Sequence, residues 1–318
     1  MAGLSEFELI KRYFSSISYL DNDSVLLGVG DDCGIVSPPP GSSLCFSLDT
    51  LVEGVHFPKN APPFDLAYRS LAAAMSDLAA MGAKPFFFTL ALTLPETDSK
   101  WLELFSAGLK ALAEQYQFPL LGGDTTRGPL AISIQVHGLL SRPGLQRSGA
   151  KHGDILAVSG TLGDAGAALD LLIKDANTLN LSESYLLSRY YEPSPRINLG
   201  ELLLSHAHSC IDISDGLLAE ALHISQQSSV RIDIDSSSLP LSKQLVDFKG
   251  KEKAQALALS AGDDYELLFS MGEKSWEKFV LNYPQHRVCQ IGRVSEGFGV
   301  FLDEQNIKSL KQGFQHFD

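Results

Sequence analysis

The chain has 318 residues, of which 44% are hydrophobic, so it is long enough to form two globular domains. Its formal net charge of −13 at pH 7 argues against a nucleic-acid or anionic-membrane partner, because phosphates and acidic lipids repel such a surface. Four scattered cysteines without a CxxC pair argue against zinc or a disulfide framework and predict a cytoplasmic location.

The first part of the chain predicts a helix followed by alternating strands and helices. Apolar periodicity predicts a helix over 5–20 and further helices near 64–82 and 99–117. The helix near 64–82 carries an apolar stripe, formed by Leu71, Met75, Leu78 and Gly82. Strands are predicted over 24–29, 44–48, 86–94 and 131–140. The apolar run 86–94 is too short to span a bilayer, and the N-terminus lacks the pattern of a signal peptide.

A second series of strands and helices follows a polar segment, 141–154, which contains a proline and two glycines and is typical of an interdomain connection. A helix is predicted from about 164, and strands are predicted over DILAVSG and near 210–213, 230–235, 265–271 and 288–293. The alternation has no strict βαβ repeat. It therefore predicts an α+β (mixed α/β) fold with two domains, 1–142 and 143–318, each a mixed sheet covered by helices.

Common catalytic motifs are missing from the sequence. It contains no GxxxxGK[ST] loop, no GxSxG elbow, no HExxH and no GxGxxG that opens a helix after a strand. The glycines between Gly160 and Gly166 are compatible with an anion site at a helix N-terminus, or with a plain turn. The pattern favours the plain turn, so it does not define a function.

Acidic residues beside small residues are the more informative pattern. Asp31 and Asp32 lie in GVGDDCG, and Asp49 and Asp124 are predicted at the ends of apolar strands. Asp77 interrupts an Ala-rich helix. Two carboxylates about 4 Å apart repel by roughly 4 kcal/mol, so a cluster of them requires bound cations. Oxygen ligands favour Mg²⁺ over zinc or copper.

Two further acids, Asp212 and Asp215 in IDISDGLL, are predicted between the end of a strand and the start of a helix. Ser214 and Asp215 are also plausible N-cap residues of that helix. Each acid taken alone is more often structural than functional. The shared pattern is what points to a cation site.

Nine segments in the same order resemble the thiamine-monophosphate kinase family, in the superfamily of aminoimidazole-ribonucleotide synthetase. They cover nearly the whole chain, and DLAAMGA and GGDTTRGPL are the most specific parts. The matching segments are GVGDDC (28–33), SLDTLVEGVHF (47–57), DLAYRSLAAAMSDLAAMGAKP (65–85), TLALTLP (89–95), GGDTTRGPL (122–130), RSGAKHGD (147–154), EPSPRI (192–197), IDISDGL (211–217) and DDYELLF (263–269).

The resemblance implies a two-domain, aminoimidazole-ribonucleotide synthetase-like fold and a Mg²⁺-assisted, direct in-line transfer of the γ-phosphoryl group of ATP to thiamine monophosphate. This reaction is the final step of thiamine diphosphate biosynthesis. The N-terminal domain would bind ATP and Mg²⁺ and form a homodimer, and the C-terminal domain would complete the site. Neither a covalent nucleophile nor a general base is implied, since the acceptor phosphate is already largely ionised at pH 7.

The resemblance also implies a role for individual residues. The implied ligands of several Mg²⁺ ions are Asp32, Ser47, Leu48, Asp49, Asp77, Asp124, Asp212 and Asp215. The implied ATP contacts are Gly123, Asp124, Arg147 and Ser214, and the implied contacts to the thiamine phosphate are His56, Asp263 and Phe314. Asp31, by contrast, is predicted to be either a turn residue or a residue that supports the ligand Asp32 without binding the metal itself.

Three of these positions depart from the family pattern. Leu48 stands where relatives often carry Thr, so it could bind a metal only through its main-chain carbonyl. Asp263 stands where relatives often have Glu, and Phe314 where Tyr or Trp is common. The shorter acid could loosen a substrate contact, and Phe314 could stack on a thiamine ring but not form a hydroxyl hydrogen bond.

Two alternatives remain open at this point. One is another ATPase of the superfamily, such as aminoimidazole-ribonucleotide synthetase, selenophosphate synthetase or the hydrogenase-maturation dehydratase. Selenophosphate synthetase needs a reactive residue nearer the N-terminus than Cys33, and the dehydratase needs a C-terminal Cys where this chain has FQHFD. The other alternative is a non-catalytic protein that binds divalent cations.

Overall fold

The structure is a computed structural model and describes residues 6–18, 24–174 and 178–307. Its contacts divide the chain into two compact units. Unit 1 comprises Met1–Leu78 and Ala83–Pro143, and unit 2 comprises Ala79–Gly82 and Gly144–Asp318. Both units contain helices and a mixed sheet, which confirms the predicted fold class. The functional roles predicted for the two domains stay predictions.

Unit 1 begins with a helical segment and a short hairpin. The helical segment consists of α1 (Glu6–Leu9), a π-helical turn (Ile10–Phe14) and α2 (Ser15–Ser18), and the hairpin pairs β1 (Val25–Leu27) with β2 (Ile35–Val36). The remaining elements are β3 (Ser43–Val52), α3 (Pro63–Met81), β4 (Lys84–Leu94), α4 (Ser99–Tyr116), β5 (Leu120–Arg127) and β6 (Ala131–Leu140).

The main sheet of unit 1 has the strand order β3-β6-β4-β5. Only the β4–β5 pair is parallel. Side chains alternate between the two faces of a strand, and in β6 every second residue, including Ile132, Ile134 and Val136, is buried. The opposite face is open, since Phe46 and Leu48 on β3 are 67% and 61% exposed. This open face matters for the oligomeric state proposed below.

The two long helices of unit 1 follow from local signals in the sequence. Helix α3 begins at Pro63, whose fixed φ suits the first turn of a helix. Its predicted stripe is confirmed, because Leu71, Met75 and Leu78 are buried. Helix α4 is capped by Asp98, which accepts hydrogen bonds from the Lys100 and Trp101 N–H groups.

Unit 2 contains the following elements: β7 (Asp154–Ser159), α5 (Asp164–Ala168), α6 (Leu181–Tyr191), α7 (Ile197–Leu203), β8 (Ser209–Asp212), α8 (Leu217–Ser228), β9 (Arg231–Ile234), α9 (Lys243–Lys249), α10 (Lys251–Ser260), β10 (Leu267–Gly272), α11 (Glu273–Asn282), β11 (Val288–Ser295), β12 (Gly299–Leu302) and β13 (Gln305–Asn306). Its sheet has the order β13-β12-β9-β11-β7-β10-β8, in which only β12 and β9 pair in parallel.

The centre of the unit 2 sheet is buried on both faces. All six residues of β7 are buried, and the four central ones, 155–158, are a continuous apolar run rather than an alternating pattern. One core cluster packs Leu156 and Val158 with Ile211, Leu217 and other residues of β8 and α8. In the described part of the chain, no helix is both long enough and apolar enough to cross a membrane.

Candidate functional site

Three of the predicted ligands in unit 1 lie together. Ser47 and Asp49 lie on the helix-covered face of β3, because their partners on β6, Val136 and Ile134, are buried. The Ser47 hydroxyl donates a hydrogen bond to Asp77 Oδ2 on α3 at 2.5 Å. We call Ser47, Asp49 and Asp77 the β3 group.

The position of Asp49 corrects the sequence prediction. Asp49 was predicted at the end of a strand over 44–48, but β3 continues to Val52 and Asp49 lies in its interior. The strand extends because the whole of Ser43–Val52 pairs with β6 in one continuous register. Burial, and then the nearby Asp77 carboxylate, raise the pKa of Asp49 to about 6.

Leu48 points away from the β3 group. Its side chain leaves the open face of the sheet and is 61% exposed. Since β3 is an edge strand, it presents main-chain groups on the side away from β6. A metal contact by Leu48 therefore stays a prediction about its main-chain carbonyl.

Asp124 lies at the other edge of the same sheet. It was predicted at the end of an apolar strand, but it lies in the interior of β5, which continues to Arg127. It pairs with Ala91, and along the same row Ser133 pairs with Thr50, so Asp124 shares the open face with these residues. Three strand spacings of about 4.8 Å separate β3 from β5, or roughly 14 Å. Within one chain, Asp49 and Asp124 therefore cannot bind the same ion.

Asp32 belongs to the β5 side of unit 1. It is exposed in the turn between β1 and β2, and its N–H donates to Asp31 Oδ1 at 2.8 Å. This bond agrees with the turn role predicted for Asp31. The turn approaches β5 closely, because a Cβ on Gly34 would lie 2.9 Å from the Leu121 carbonyl oxygen. We call Asp32, Gly123 and Asp124 the β5 group.

Gly123 is required by strand pairing, whether or not it contacts a nucleotide. A Cβ at this position would lie 1.9 Å from the Leu90 carbonyl oxygen on β4. We expect Gly123→Ala to lower the free energy of unfolding by at least about 2 kcal/mol, because backbone atoms of β4 cannot move away without breaking the sheet. Urea unfolding measures the effect. Gly122→Ala, where nothing lies within 4 Å of the added Cβ, is the matched control and should unfold like the parent.

His56 folds back on the strand that precedes it. The Val52 N–H donates to His56 Nδ1 at 2.9 Å, and the His56 N–H donates to the Val52 carbonyl at 3.0 Å. Because Nδ1 accepts a hydrogen bond, the neutral ring carries its proton on Nε2. The ring is therefore oriented as a donor at Nε2 rather than as a base there.

Four of the predicted site residues of unit 2 lie around the end of β8. Asp212 is the last residue of that strand, as predicted, and is buried. The prediction that Ser214 or Asp215 caps the next helix is wrong, because the N-cap of α8 is Gly216 and no side chain caps it. The Asp263 N–H donates to the Ser214 carbonyl at 2.8 Å, which joins Asp263 to this turn.

Glu220 is a buried acid of this region that sequence reasoning missed. Its Oε1 accepts from the Asp215 N–H at 3.2 Å and from the Ser214 hydroxyl at 3.4 Å. Burial raises the pKa of Glu220 to about 7, although the Asp215 N–H and the Arg147 charge oppose the shift. The Arg147 side chain is therefore close enough for its charge to act on Glu220. The only signal in the sequence is that Glu220 lies in the first turn of the helix that follows Asp215.

Two further substrate contacts were predicted in unit 2. Asp263 has a φ of 69°, a left-handed conformation that non-glycine residues rarely adopt. Its Oδ1 accepts from the Tyr265 hydroxyl at 3.1 Å. Phe314 lies outside the described residues.

The oxygen atoms of the β3 group are of the kind that binds Mg²⁺. Among the described residues, no group of three or more His, Cys, Asp or Glu side chains lies close enough to hold a metal by itself. Mg²⁺, however, is usually bound through one or two carboxylates, with waters and substrate phosphates as the other ligands. The β3 group, with two carboxylates and a hydroxyl, meets that requirement.

Comparison with known families and relatives covers almost the whole chain. Residues 30–140 match the family "AIR synthase related protein, N-terminal domain". The chain is 46% identical to "Thiamine-monophosphate kinase" of Escherichia coli K12, over 98% of each chain. It is 39% identical to the protein of that name from Haemophilus influenzae, over 99% of this chain and 98% of the relative.

Solved structures agree with these matches. The crystal structure of thiamine-monophosphate kinase from Stenotrophomonas maltophilia is 41% identical, covers 96% of this chain and 98% of its own, and superposes with a TM-score of 0.89. A second structure, AaThiL complexed with AMPPCP and TMP, is 34% identical over 99% of this chain and 97% of its own, with a TM-score of 0.81.

Proposed function

Because this chain belongs to the thiamine-monophosphate kinase family, we propose that it transfers the γ-phosphoryl group of ATP to thiamine monophosphate, giving thiamine diphosphate and ADP. It is a phosphotransferase whose acceptor is a phosphate group. The observation that carries the proposal is the related structure that holds AMPPCP and TMP together.

We further propose a direct in-line transfer without a general base. The attacking atom is a phosphate oxygen, and the second pKa of a phosphate monoester is about 6, so the nucleophile is already ionised at neutral pH. The reaction then needs positioning of two anions and neutralisation of their repulsion. His56 suits positioning, since it presents Nε2–H, and Arg147 adds a positive charge on the side of the predicted ATP contact Ser214.

In this proposal the β3 group holds one of several Mg²⁺ ions. When bound, Mg²⁺ supplies the positive charge that phosphate oxygens require as they approach one another. Asp49 and Asp77 provide two carboxylates whose mutual repulsion a cation relieves, and Ser47 orients Asp77 through its hydrogen bond. The predicted ligands Asp32, Asp124, Asp212 and Asp215 stay proposals of the same kind.

A homodimer through unit 1 is the proposed assembly. The open face of the unit 1 sheet exposes Leu44, Phe46 and Leu48, an unusual concentration of apolar side chains on one strand. Light scattering of the parent and of Phe46→Asp tests this: a dimer that becomes a monomer supports it, and a monomeric parent contradicts it. The cytoplasmic location stays a prediction.

His56→Ala is expected to raise KM for thiamine monophosphate by about ten-fold, because it removes the Nε2–H donor and a hydrogen bond to a charged group is worth about 1.5 kcal/mol. The low-pH inflection of the rate, near pH 6, should not move, since we assign it to the substrate phosphate. Steady-state rates measured from pH 5 to 9 test both expectations. Loss of the inflection in the variant would identify His56 as a base instead.

The activity itself is tested by ADP release from the purified chain. Release that requires both Mg²⁺ and thiamine monophosphate, with thiamine diphosphate as the product by chromatography, supports the proposal. Cation binding without turnover would favour the non-catalytic alternative. ADP release with another acceptor, and none with thiamine monophosphate, would favour a different ATPase of the superfamily.

A further inference from the structure

Unit 2 contains a buried ion network that the proposed reaction does not use. It consists of Asp164, Arg189, Arg196, Asp264 and Glu266. Glu266 lies at its centre and is 1% exposed. Its carboxylate accepts hydrogen bonds from Arg196 Nε at 2.6 Å, from Arg196 Nη2, from Arg189 Nη2 at 2.9 Å and from the Ser159 hydroxyl at 2.5 Å.

The other two carboxylates anchor the network to neighbouring elements. Asp164 Oδ2 lies 3.5 Å from Arg189 Nε, and its two oxygens accept from the hydroxyls of Thr161 and Ser242. Asp264 Oδ2 accepts from the Gly163 N–H at 2.7 Å. The glycine loop before α5 is therefore turned toward a carboxylate of the protein, which argues against the anion site considered from the sequence.

The charges of the network are nearly balanced. It has three carboxyl groups and two guanidinium groups. Burial raises the pKa of Asp264 well above its usual range, although the Gly163 N–H and the Arg189 charge oppose the shift. Burial opposes ionisation of Glu266 too, but the charge and hydrogen bonds of Arg196, with Arg189, outweigh it and lower its pKa.

Stabilisation of the fold is not a sufficient reason for such a buried ion network. A buried ion pair is often no more stabilising than apolar residues of similar volume, because removing charges from water offsets their attraction. A role in fixing one conformation is the alternative. The backbone of segment 262–266, which carries two of the network's acids, is strained and needs such contacts to keep its conformation.

The strained segment is 262–266. Asp263 and Tyr265 have φ values of 69° and 50°, a left-handed conformation that is strained for non-glycine residues. The residues of this segment alternate in burial. Asp264 and Glu266 are buried in the network, whereas Asp263 and Tyr265 are partly exposed. The two buried acids therefore hold the backbone in the conformation that presents Asp263.

Segment 262–266 is also hydrogen-bonded to the turn that follows β8. The Asp263 N–H donates to the Ser214 carbonyl at 2.8 Å, the Tyr265 N–H donates to the Ile213 carbonyl at 2.9 Å, and the Ile213 N–H donates to the Glu266 carbonyl at 2.8 Å. Fixing residues 263–266 therefore also fixes Ile213 and Ser214. Asp263 is the predicted substrate contact and Ser214 a predicted ATP contact, and the three bonds link them.

We propose that Arg196 and Glu266 are positioning residues, which hold Asp263 and Ser214 in the arrangement that binds the thiamine phosphate and ATP. The inference rests on the function proposed above. Neither residue is assigned a contact with the reacting atoms. They act through the backbone of segment 262–266.

Arg196→Gln is the main test, because Arg196 is the more exposed partner and its loss is less disruptive than loss of Glu266. We expect KM for thiamine monophosphate and KM for ATP each to rise at least ten-fold. Arg196→Lys, which keeps the charge but loses the two-pronged hydrogen bond, should show a smaller rise in both. Arg293→Gln removes an exposed ion pair with Glu273 in the same unit and is the matched control, with KM values of the parent.

Hydrogen exchange of the peptide that covers 262–267 gives a readout independent of turnover. We expect faster exchange there in Arg196→Gln, with β7 exchanging as in the parent. A lower melting temperature with unchanged KM values and unchanged exchange in 262–267 would overturn the inference and leave a purely structural network. If Arg196→Gln does not fold, Arg196→Lys decides by the same two readouts. Failure of the proposed function would appear separately, as a parent protein without turnover.

Discussion

Replacing Asp49 by asparagine is expected to lower the turnover of thiamine monophosphate by a factor on the order of 10²–10³ and to leave the fold intact. Asparagine keeps the size of the side chain and one oxygen, but it loses the charge that binds a cation next to Asp77. ADP release at saturating Mg²⁺ measures the effect. Asp124→Asn should show a similar loss, although Asp124 lies at the other edge of the sheet.

Although Asp49→Asn should lower turnover, it should raise the stability of the fold when divalent cations are removed. Folding raises the pKa of Asp49 from 3.8 to about 6, so this group favours the folded state below its ordinary pKa. That contribution is lost as the pH rises through about 6. In EDTA at pH 8, Asp49→Asn should therefore be more stable than the parent by on the order of 3 kcal/mol, and the two should be similar at pH 4.

Magnesium should reverse this order of stability, because it should stabilise the parent and have much less effect on the variant. A ligand that binds only the folded state stabilises it by about 2.7 kcal/mol at one hundred times its dissociation constant. The parent should melt at a higher temperature when Mg²⁺ is added, and Asp49→Asn should respond much less. Glu103→Gln, on an exposed face of α4, is the control and should keep the turnover and the Mg²⁺ response of the parent. Near-parent turnover of Asp49→Asn would exclude Asp49 as an essential ligand.

Replacing Glu266 by glutamine is expected to lower the free energy of unfolding by about 3–5 kcal/mol. The amide has the same shape, but the two guanidinium groups of Arg189 and Arg196 lose the buried charge that compensates them. Urea unfolding at pH 7 measures the loss. Glu273→Gln removes the partner of Arg293 at an exposed site and should change the stability by no more than about 0.5 kcal/mol.

The pH dependence supplies a second check on Glu266. Its pKa is lower in the folded chain than the ordinary value of 4.5, so its contribution to stability is present above that value and is lost as the pH falls below it. The difference between parent and Glu266→Gln should therefore shrink in acid. A difference that is constant from pH 7 to pH 3 would show that lost packing, and not lost charge, destabilises the variant.

Much of the secondary structure could be predicted from the sequence. Strand β6 covers 131–140 as predicted, and α3 and α4 begin and end within one residue of their predicted bounds. These elements carry strong apolar periodicity and clear end signals, such as Pro63 and Asp98. A strand that ends at Asp124 was predicted, but the bounds of β5 were not, because two glycines in LLGGDTTR weaken the strand signal. Gly123 is nevertheless what lets β5 approach β4.

The candidate site could be predicted in its residue types but not in its arrangement. The short spacing in IDISDG already brings Asp212, Ser214 and Asp215 together. The bond between Ser47 and Asp77 joins residues 30 positions apart and depends on how α3 packs on β3. Glu220 was missed because an acid in the first turn of a helix has no distinctive local pattern.

The sequence by itself determined the family resemblance, the two series of elements and the choice of oxygen ligands, because these depend on local order and composition. Only the tertiary structure decided which acidic side chains lie close together and which lie far apart. The strand order β3-β6-β4-β5 places Asp49 and Asp124 at opposite edges of one sheet. In unit 2, the fold brings Arg196 to the buried carboxylate of Glu266, although the two residues are 70 positions apart. Local patterns do not encode strand order or long-range burial, since both arise from packing between distant segments.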